Sequence, residues 1–301
     1  MGCADYHANR MKRSLHAPFR RMTYYLYLLP ALLLAYLFSY RPFFKTVINS
    51  LSVVNFSGKI VEFVGFDNFR RLFKDSNFLL SLANTFKFAL WFIPLDLIFC
   101  MIAALLVYKK RRLTAFNETL FMLPMAVAMS SSALIFKALF NPTIGVVNYL
   151  LGLSIQWFDD PAWAMLTIVL LGVWMALSLD FLLLLGALRS VPPQLIESAQ
   201  MEGAGALATF FRIQLPLISP TILFIFSTRL RDSMLLGAPV MVMTAGGPQK
   251  STQTLVYQMY VEGFVSSNYS KGSAISVIVF ALTFILIFLA FRFERRGVFY
   301  Q

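Results

Sequence analysis

The chain has 301 residues, 58% of them apolar and 13% charged, with a mean hydropathy of +0.70. Soluble domains run near roughly 45–50% apolar and about 25% charged, so the composition excludes an ordinary soluble fold and points to an all-α polytopic membrane protein. The net charge of +12 comes without a soluble basic domain, which argues against nucleic acid as a partner and for Lys and Arg gathered on one side of a lipid bilayer.

Residues 1–23 read as a basic tail. The stretch MKRSLHAPFRRM could open a secretory signal, but the apolar run behind it is too long and SYRPFF is no cleavage site, so a retained helix follows. MGCADY lacks the Ser or Thr of a myristoylation signal, because Tyr6 stands there. Residues 24–301 then form one membrane domain. Six apolar runs reach the about 20 residues that a spanning helix needs. They lie near 24–44, 82–108, 120–140, 163–188, 217–243 and 273–293.

Charge sets the expected orientation. The tail, the 109–112 run KKRR, Arg189 with Arg212, and the C-terminal Arg292, Arg295 and Arg296 together hold fourteen Lys and Arg. The alternate loops hold six, at Lys59, Arg70, Arg71, Lys74, Lys250 and Lys271. Both termini and the 189–216 loop are therefore expected in the cytoplasm, and the loops SLSVVNFSGKIVEFVGFDNFRRLFKDSN, NPTIGVVNYLLGLSIQWFDDP and TAGGPQKSTQTLVYQMYVEGFVSSNYSK on the outside.

The chain carries no phosphate loop of the G-x-x-x-x-G-K-[ST] kind. Its two histidines, His7 and His16, lie in the tail, and Cys3 and Cys100 have no metal-ligand spacing. Neither a Ser–His nor a Cys–His nucleophile pair is available, and no internal repeat is visible. No catalytic residue, metal or cofactor is therefore expected in this chain.

The cytoplasmic loop is unusually specific. Pro192 and Pro193 start a helix after the fourth span, QLIESAQME fills it, Gly203 and Gly205 allow a sharp turn, and ALATFFRIQL forms a second amphipathic piece ending at Pro216. Small residues admit a close backbone, while Glu197 and Glu202 offer fixed charge. A loop merely resting on anionic head groups would favour Lys or Arg instead. Glu197-Ser198-Ala199, Glu202-Gly203-Ala204, Phe211, Ile213, Leu215 and Pro216 resemble the EAA loop of binding-protein-dependent ABC importers, with Ser198 in place of Ala and Glu202 in place of Asp. FVGFDNFRRLF, LFNPTIGVVNYLL and TAGGPQKSTQTLVYQMY are similar to its carbohydrate-importer branch. RSVPPQLIESAQMEGAG, YVEGF and the final YQ are similar to the first permease subunit of glycerol-3-phosphate importers.

The resemblance implies a type I ABC importer transmembrane fold in a prokaryotic inner membrane. It also implies a coupling helix at 189–216, with Glu197, Ser198, Ala199, Glu202, Gly203, Ala204, Leu215 and Pro216 facing an ATPase. The partners it implies are a second homologous permease, two cytoplasmic ATPase subunits that bind ATP and Mg, and an external solute-binding protein. The solute would be a carbohydrate or glycerol-3-phosphate, with a neutral mono- or oligosaccharide as the alternative.

Ionisable residues inside spans are costly and default to function. Asp180 in the fourth span, and Arg229, Arg231, Asp232 and Ser233 in the fifth, are the candidate solute-pathway residues; Lys87 and Asp96 lie in the second. Two arginines could hold a phosphate. The alternative is an internal network, with Arg229 bound to Asp232 three residues on, or an Arg bound to Asp180 across helices. Of other classes, a membrane enzyme of the lipid-phosphate transferase kind would need clustered acids at one face, and a channel would leave the Glu197–Pro216 loop unexplained.

Overall fold

The computed structural model describes residues 27–109 and 112–297, with side chains as far as Arg292. The basic tail at 1–23, the start of the first span, and Lys110 and Arg111 lie outside the described residues. Helix α1 (Tyr27–Ser50) carries a π-helical turn at Tyr36–Tyr40. A hairpin of β1 (Ser52–Val54) and β2 (Ile60–Phe63) follows, pairing Ser52 with Phe63 and Val54 with Ile60. The chain continues through α2 (Asp67–Leu72), α3 (Ser76–Val107), α4 (Thr114–Met122), α5 (Met129–Leu139), α6 (Val146–Leu151) and α7 (Pro161–Ser190). Then come α8 (Pro193–Met201), α9 (Ala206–Leu217), α10 (Ser219–Met234), α11 (Ala238–Met243), α12 (Leu255–Tyr260) and α13 (Tyr269–Gly297).

Among the described residues, four stretches are long and apolar enough to cross a membrane unbroken: α1, α3, α7 and residues Tyr269–Arg292 of α13. Their starts follow from local chemistry. The Asp75 carboxylate caps α3 by accepting the Asn77 N–H at 2.9 Å. Asp160 caps α7 by accepting from Ala162 at 2.8 Å, with Pro161 pre-set for the first helical position.

The runs read as third and fifth spans are bent, so the chain offers four to six spans rather than six plain helices. Residues Thr114–Ala126 and Met129–Leu139 meet at 104°. Pro124 lies in a 3₁₀ turn at Leu123–Ala126, and Val127 and Ala128 are extended, which breaks the ladder of backbone bonds. The freed Met125 N–H donates to Ser178 Oγ at 3.1 Å, so the break is re-satisfied by a neighbouring helix. At the start of the fifth run, α9, which belongs to the 189–216 loop expected from the sequence, meets α10 at 67° between Pro216 and Pro220, and a second break separates α10 from α11. At that second break the Thr254 hydroxyl donates to the Leu236 carbonyl at 2.7 Å.

The core lies where α3 packs on α7. Phe88 and Phe92 stack with ring centroids 5.0 Å apart, and a Cβ at Gly172 would meet the Phe92 ring at 3.2 Å. Further along, Cys100, Ala104 and Val107 meet Phe181, Leu184 and Leu188. Outward residues stay apolar, such as Leu32, Ile98 and Phe284. With a lipid exterior as greasy as the interior, close packing and internal hydrogen bonds hold the helices together rather than escape from water.

Candidate functional site

At one end of the bundle, α8 stands out from the spans. Its C-terminus closes with two backbone bonds, Gly203 N–H to Gln200 O at 3.0 Å and Ala204 N–H to Ala199 O at 2.9 Å. This is the Schellman arrangement, which needs a left-handed residue just past the helix. Gly203 supplies it with φ of +84°, whereas Gly205 has an ordinary φ of −70° and is not required by the turn. Space around the missing Gly203 Cβ is open, so conformation rather than close approach demands glycine there. Glu197, Ser198 and Glu202 are exposed, Ala199 is buried as the anchor, and Ala204 is half-buried. Met201 is 89% exposed, an apolar knob set among carboxylates. Leu215 is half-buried and lines an apolar groove of about 640 Å³ between α3, α8 and α9; Pro216 sits at the start of that helix end.

The second assembly is buried mid-bundle. Arg229 of α10 forks onto Asp180 of α7, with Nε donating to Oδ2 at 2.6 Å and Nη2 to Oδ1 at 2.8 Å. Its Nη1 donates to Asp232 Oδ2 at 2.9 Å. Both internal pairings weighed from the sequence are thus present at once. Arg231 forks onto the other oxygen of Asp232, at 3.0 and 2.8 Å, and its side chain is 51% exposed. Ser233 stands apart, fully buried and donating to the Leu230 carbonyl at 2.7 Å. Counting residues along α3, α7 and α10, the charged groups lie roughly 15–20 Å from the α8 end, at 1.5 Å per residue, near the midplane of a ~30 Å core.

The sequence gives no sign that Asp96 joins this assembly, because helices far apart in the chain must meet to bring it there. Its Oδ2 lies 3.8 Å from Arg229 Nε, and its Oδ1 accepts from Cys100 Sγ at 3.2 Å. Ligand atoms of Asp96, Cys100 and Asp180 lie within 4.8 Å of one another, a grouping that spacing along the chain does not announce. The usable signal is a lone carboxylate in an apolar run, which demands a partner somewhere in the bundle. Lys87 takes no part in this group among the described residues.

At the opposite end, Lys271 bridges Asp75 at 2.7 Å and Glu262 at 2.5 Å. Ser270 Oγ accepts the Val54 N–H at 2.8 Å, and Asn84 donates to the carbonyls of Lys250 and Gln253 at 2.8 and 3.1 Å. Asn68 donates to Ser50 and Ser52 carbonyls at 2.9 and 3.0 Å, fixing the hairpin to α2. The loops at this end are therefore bound to helix termini rather than loose.

Residues 96–297 match the family described as the binding-protein-dependent transport system inner membrane component. The sn-glycerol-3-phosphate transport system permease protein UgpA of Pectobacterium atrosepticum is 36% identical over 281 residues, covering 92% of this chain and 95% of that protein. UgpA of Yersinia pestis bv. Antiqua and UgpA of Salmonella typhi match at 36% over the same coverage. Among solved structures, a bacterial ABC transporter for import of the acidic polysaccharide alginate superposes with a TM-score of 0.80 at 22% identity, covering 94% of this chain and 99% of that one. The same kind of transporter in complex with a pentasaccharide-bound periplasmic protein superposes at 0.79 and 23% identity. At these identities the superpositions speak to the fold, which is that of an ABC importer permease.

Proposed function

The chain belongs to the family of inner membrane components of binding-protein-dependent transport systems, and from that premise we propose that it serves as the multi-pass permease of an ATP-driven importer of sn-glycerol-3-phosphate. It is a transport subunit rather than an enzyme. The observation that carries the solute class is near-full-length likeness to permeases of that name, at 36% identity over 92% of the chain. The bent pairs α4–α5 and α9–α10 each count as one span in this reading, giving six, with both termini and α8 in the cytoplasm. Exposed Glu197, Ser198, Met201 and Glu202 then form the docking face for an ATPase, held rigid by the Gly203 turn. A second permease, two ATPase subunits and an external binding protein complete the machine, and ATP and Mg are held by the ATPases.

The two arginines divide the work. Arg229 has its donors committed to Asp180 and Asp232, so it serves packing. Arg231 is half exposed and lies on the open face of α10 with Thr228 and Leu235. A phosphate reaching that face would compete with Asp232 for its fork, a planar match that guanidinium makes well. The occupied fork also supports a second reading, in which a neutral sugar passes and Arg231 stays with Asp232. The test is uptake by the assembled transporter in vesicles, comparing labelled glycerol-3-phosphate with glycerol and a neutral disaccharide. Uptake of the phosphate ester alone supports the first reading; uptake of the disaccharide alone supports the second.

A further inference from the structure

We propose that Asp96 and Asp180 bind one proton between them, so that the middle of the bundle is a proton site. The assembly holds three carboxylates, Asp96, Asp180 and Asp232, against two guanidinium groups, Arg229 and Arg231. In their ordinary ionic forms they would leave one uncompensated negative charge near the bilayer midplane, where an unpaired charge is least tolerated.

The geometry says which group carries the excess. Asp180 has both oxygens bound by Arg229, and Asp232 has both bound by Arg229 and Arg231. Asp96 is fully buried, at 0% exposure, and its Oδ1 accepts only from the Cys100 thiol, a weak donor. Its Oδ2 has no hydrogen-bond partner, because Arg229 Nε at 3.8 Å is spent on Asp180. A carboxylate there has lost its water and gained only a thiol donor in return. A carboxylic acid fits the same position, since protonated Oδ2 becomes a donor beside the Asp180 oxygens and the excess charge disappears. The Asp96 O–H bond forms as an O–H bond of hydronium breaks and releases water, and no oxidant or reductant is needed.

A metal ion fits poorly on the same ligand atoms. Both Asp180 oxygens are taken, and any cation on Asp96 Oδ2 would face the Arg229 guanidinium at close range. Among the described residues, the other helices against α3 supply no competing charge to this level. Glu118 of α4 is bound to Arg189 at 2.6 Å, and Tyr257 of α12 packs at Gly246. The inference rests on geometry within this chain and is independent of which solute is carried.

The experiment is infrared spectroscopy of the assembled transporter in lipid nanodiscs, from mildly acidic to mildly alkaline pH, alongside Asp96→Asn. Wild type is expected to show a protonated-carboxyl C=O band at neutral pH. Asp96→Asn is expected to lose that band while keeping wild-type yield and uptake, because its amide supplies the missing donor to Asp180. A wild-type spectrum without the band overturns the proposal, and that result needs no variant to fold. A band that survives in Asp96→Asn overturns it as well. Stabilisation by sodium or divalent cations that Asp96→Asn removes, with no carboxyl band, overturns it in favour of a metal-ion site.

Discussion

Replacing Arg229 by Gln removes the one group among the described residues that reaches Asp180 with two donors, at 2.6 and 2.8 Å. The Arg229 and Asp180 side chains are 10% and 1% exposed, so the change leaves a carboxylate stranded in the bundle. Removing one partner of a buried pair costs ~3–5 kcal/mol. The third contact, to Asp232, adds little, because that side chain is 35% exposed and such pairs contribute about 0–1 kcal/mol. A membrane-embedded unfolded state also finds partners for its polar groups, which pulls the net effect toward the lower end. A loss of ~3 kcal/mol remains, or roughly 150-fold in the folded population at 1.36 kcal/mol per decade. Arg229→Gln should therefore cut the yield of assembled transporter and lower its melting temperature. Adding Asp180→Asn should restore most of both, since the stranded charge is then gone. The assay is subunit yield and thermal unfolding in detergent, with uptake measured beside them. Normal yield with lost uptake, unrescued by Asp180→Asn, would refute the packing role and return Arg229 to the solute pathway.

Arg231→Gln should instead leave yield intact and raise the KM for glycerol-3-phosphate about tenfold, the size of one charge-assisted contact of ~1.5 kcal/mol; an unchanged KM would favour a neutral solute. Glu197→Lys should abolish solute-stimulated ATP hydrolysis while insertion stays normal, because reversing a charge in a docking face costs several kcal/mol; normal ATPase co-purification and stimulation would sink the docking role. Gly203→Val forces a β-branched residue to φ of +84°, a strain on the order of 1–2 kcal/mol, and should raise ATP consumed per solute moved, whereas Gly205→Ala should not. Burial pushes the Asp75 carboxyl up, yet the ion pair to Lys271 and the N–H of Asn77 outweigh it and hold it below its ordinary 3.8. Stability from such a group is present above the unfolded value and lost as pH falls through the folded one. Asp75→Asn should thus flatten the acid fall in melting temperature below about pH 4, and an unchanged slope would count against the Lys271 bridge.

Length and composition made the long spans legible, because α3 and α7 are apolar over most of their length and each starts at an aspartate cap. The helix around Glu197 was legible for a different reason: Pro192 and Pro193 mark its start and the Gly203–Gly205 pair its stop within an otherwise apolar chain. What the sequence hid was tertiary. Pro124 marks a possible break in the third run, but the 104° bend depends on Ser178, 53 residues away, taking the freed N–H. Asp96 was visible as an isolated acid, yet nothing in its neighbourhood names Asp180 or Arg229 as its company. Gly203 and Gly205 look alike in the sequence, and only backbone geometry separates the one that must be glycine from the one that need not be.

The Lys271 bridge has a mechanical meaning. Its ammonium stitches the start of α13 to the start of α3 and to the turn at Val261–Val265, while Ser270 and Asn84 sew the hairpin and the 244–254 loop to the same rim. At the α8 rim, Arg189 bonds Glu118 and the Val107 carbonyl, and α8 begins just beyond, at Pro193. A push delivered to α8 therefore meets a bundle fixed at its far rim by directional polar bonds and held at the near one mainly by apolar packing of Val107, Leu188, Val191 and Ile218. Apolar faces slide more readily than directional bonds stretch, so any tilt of the bundle would turn about the Lys271 stitch.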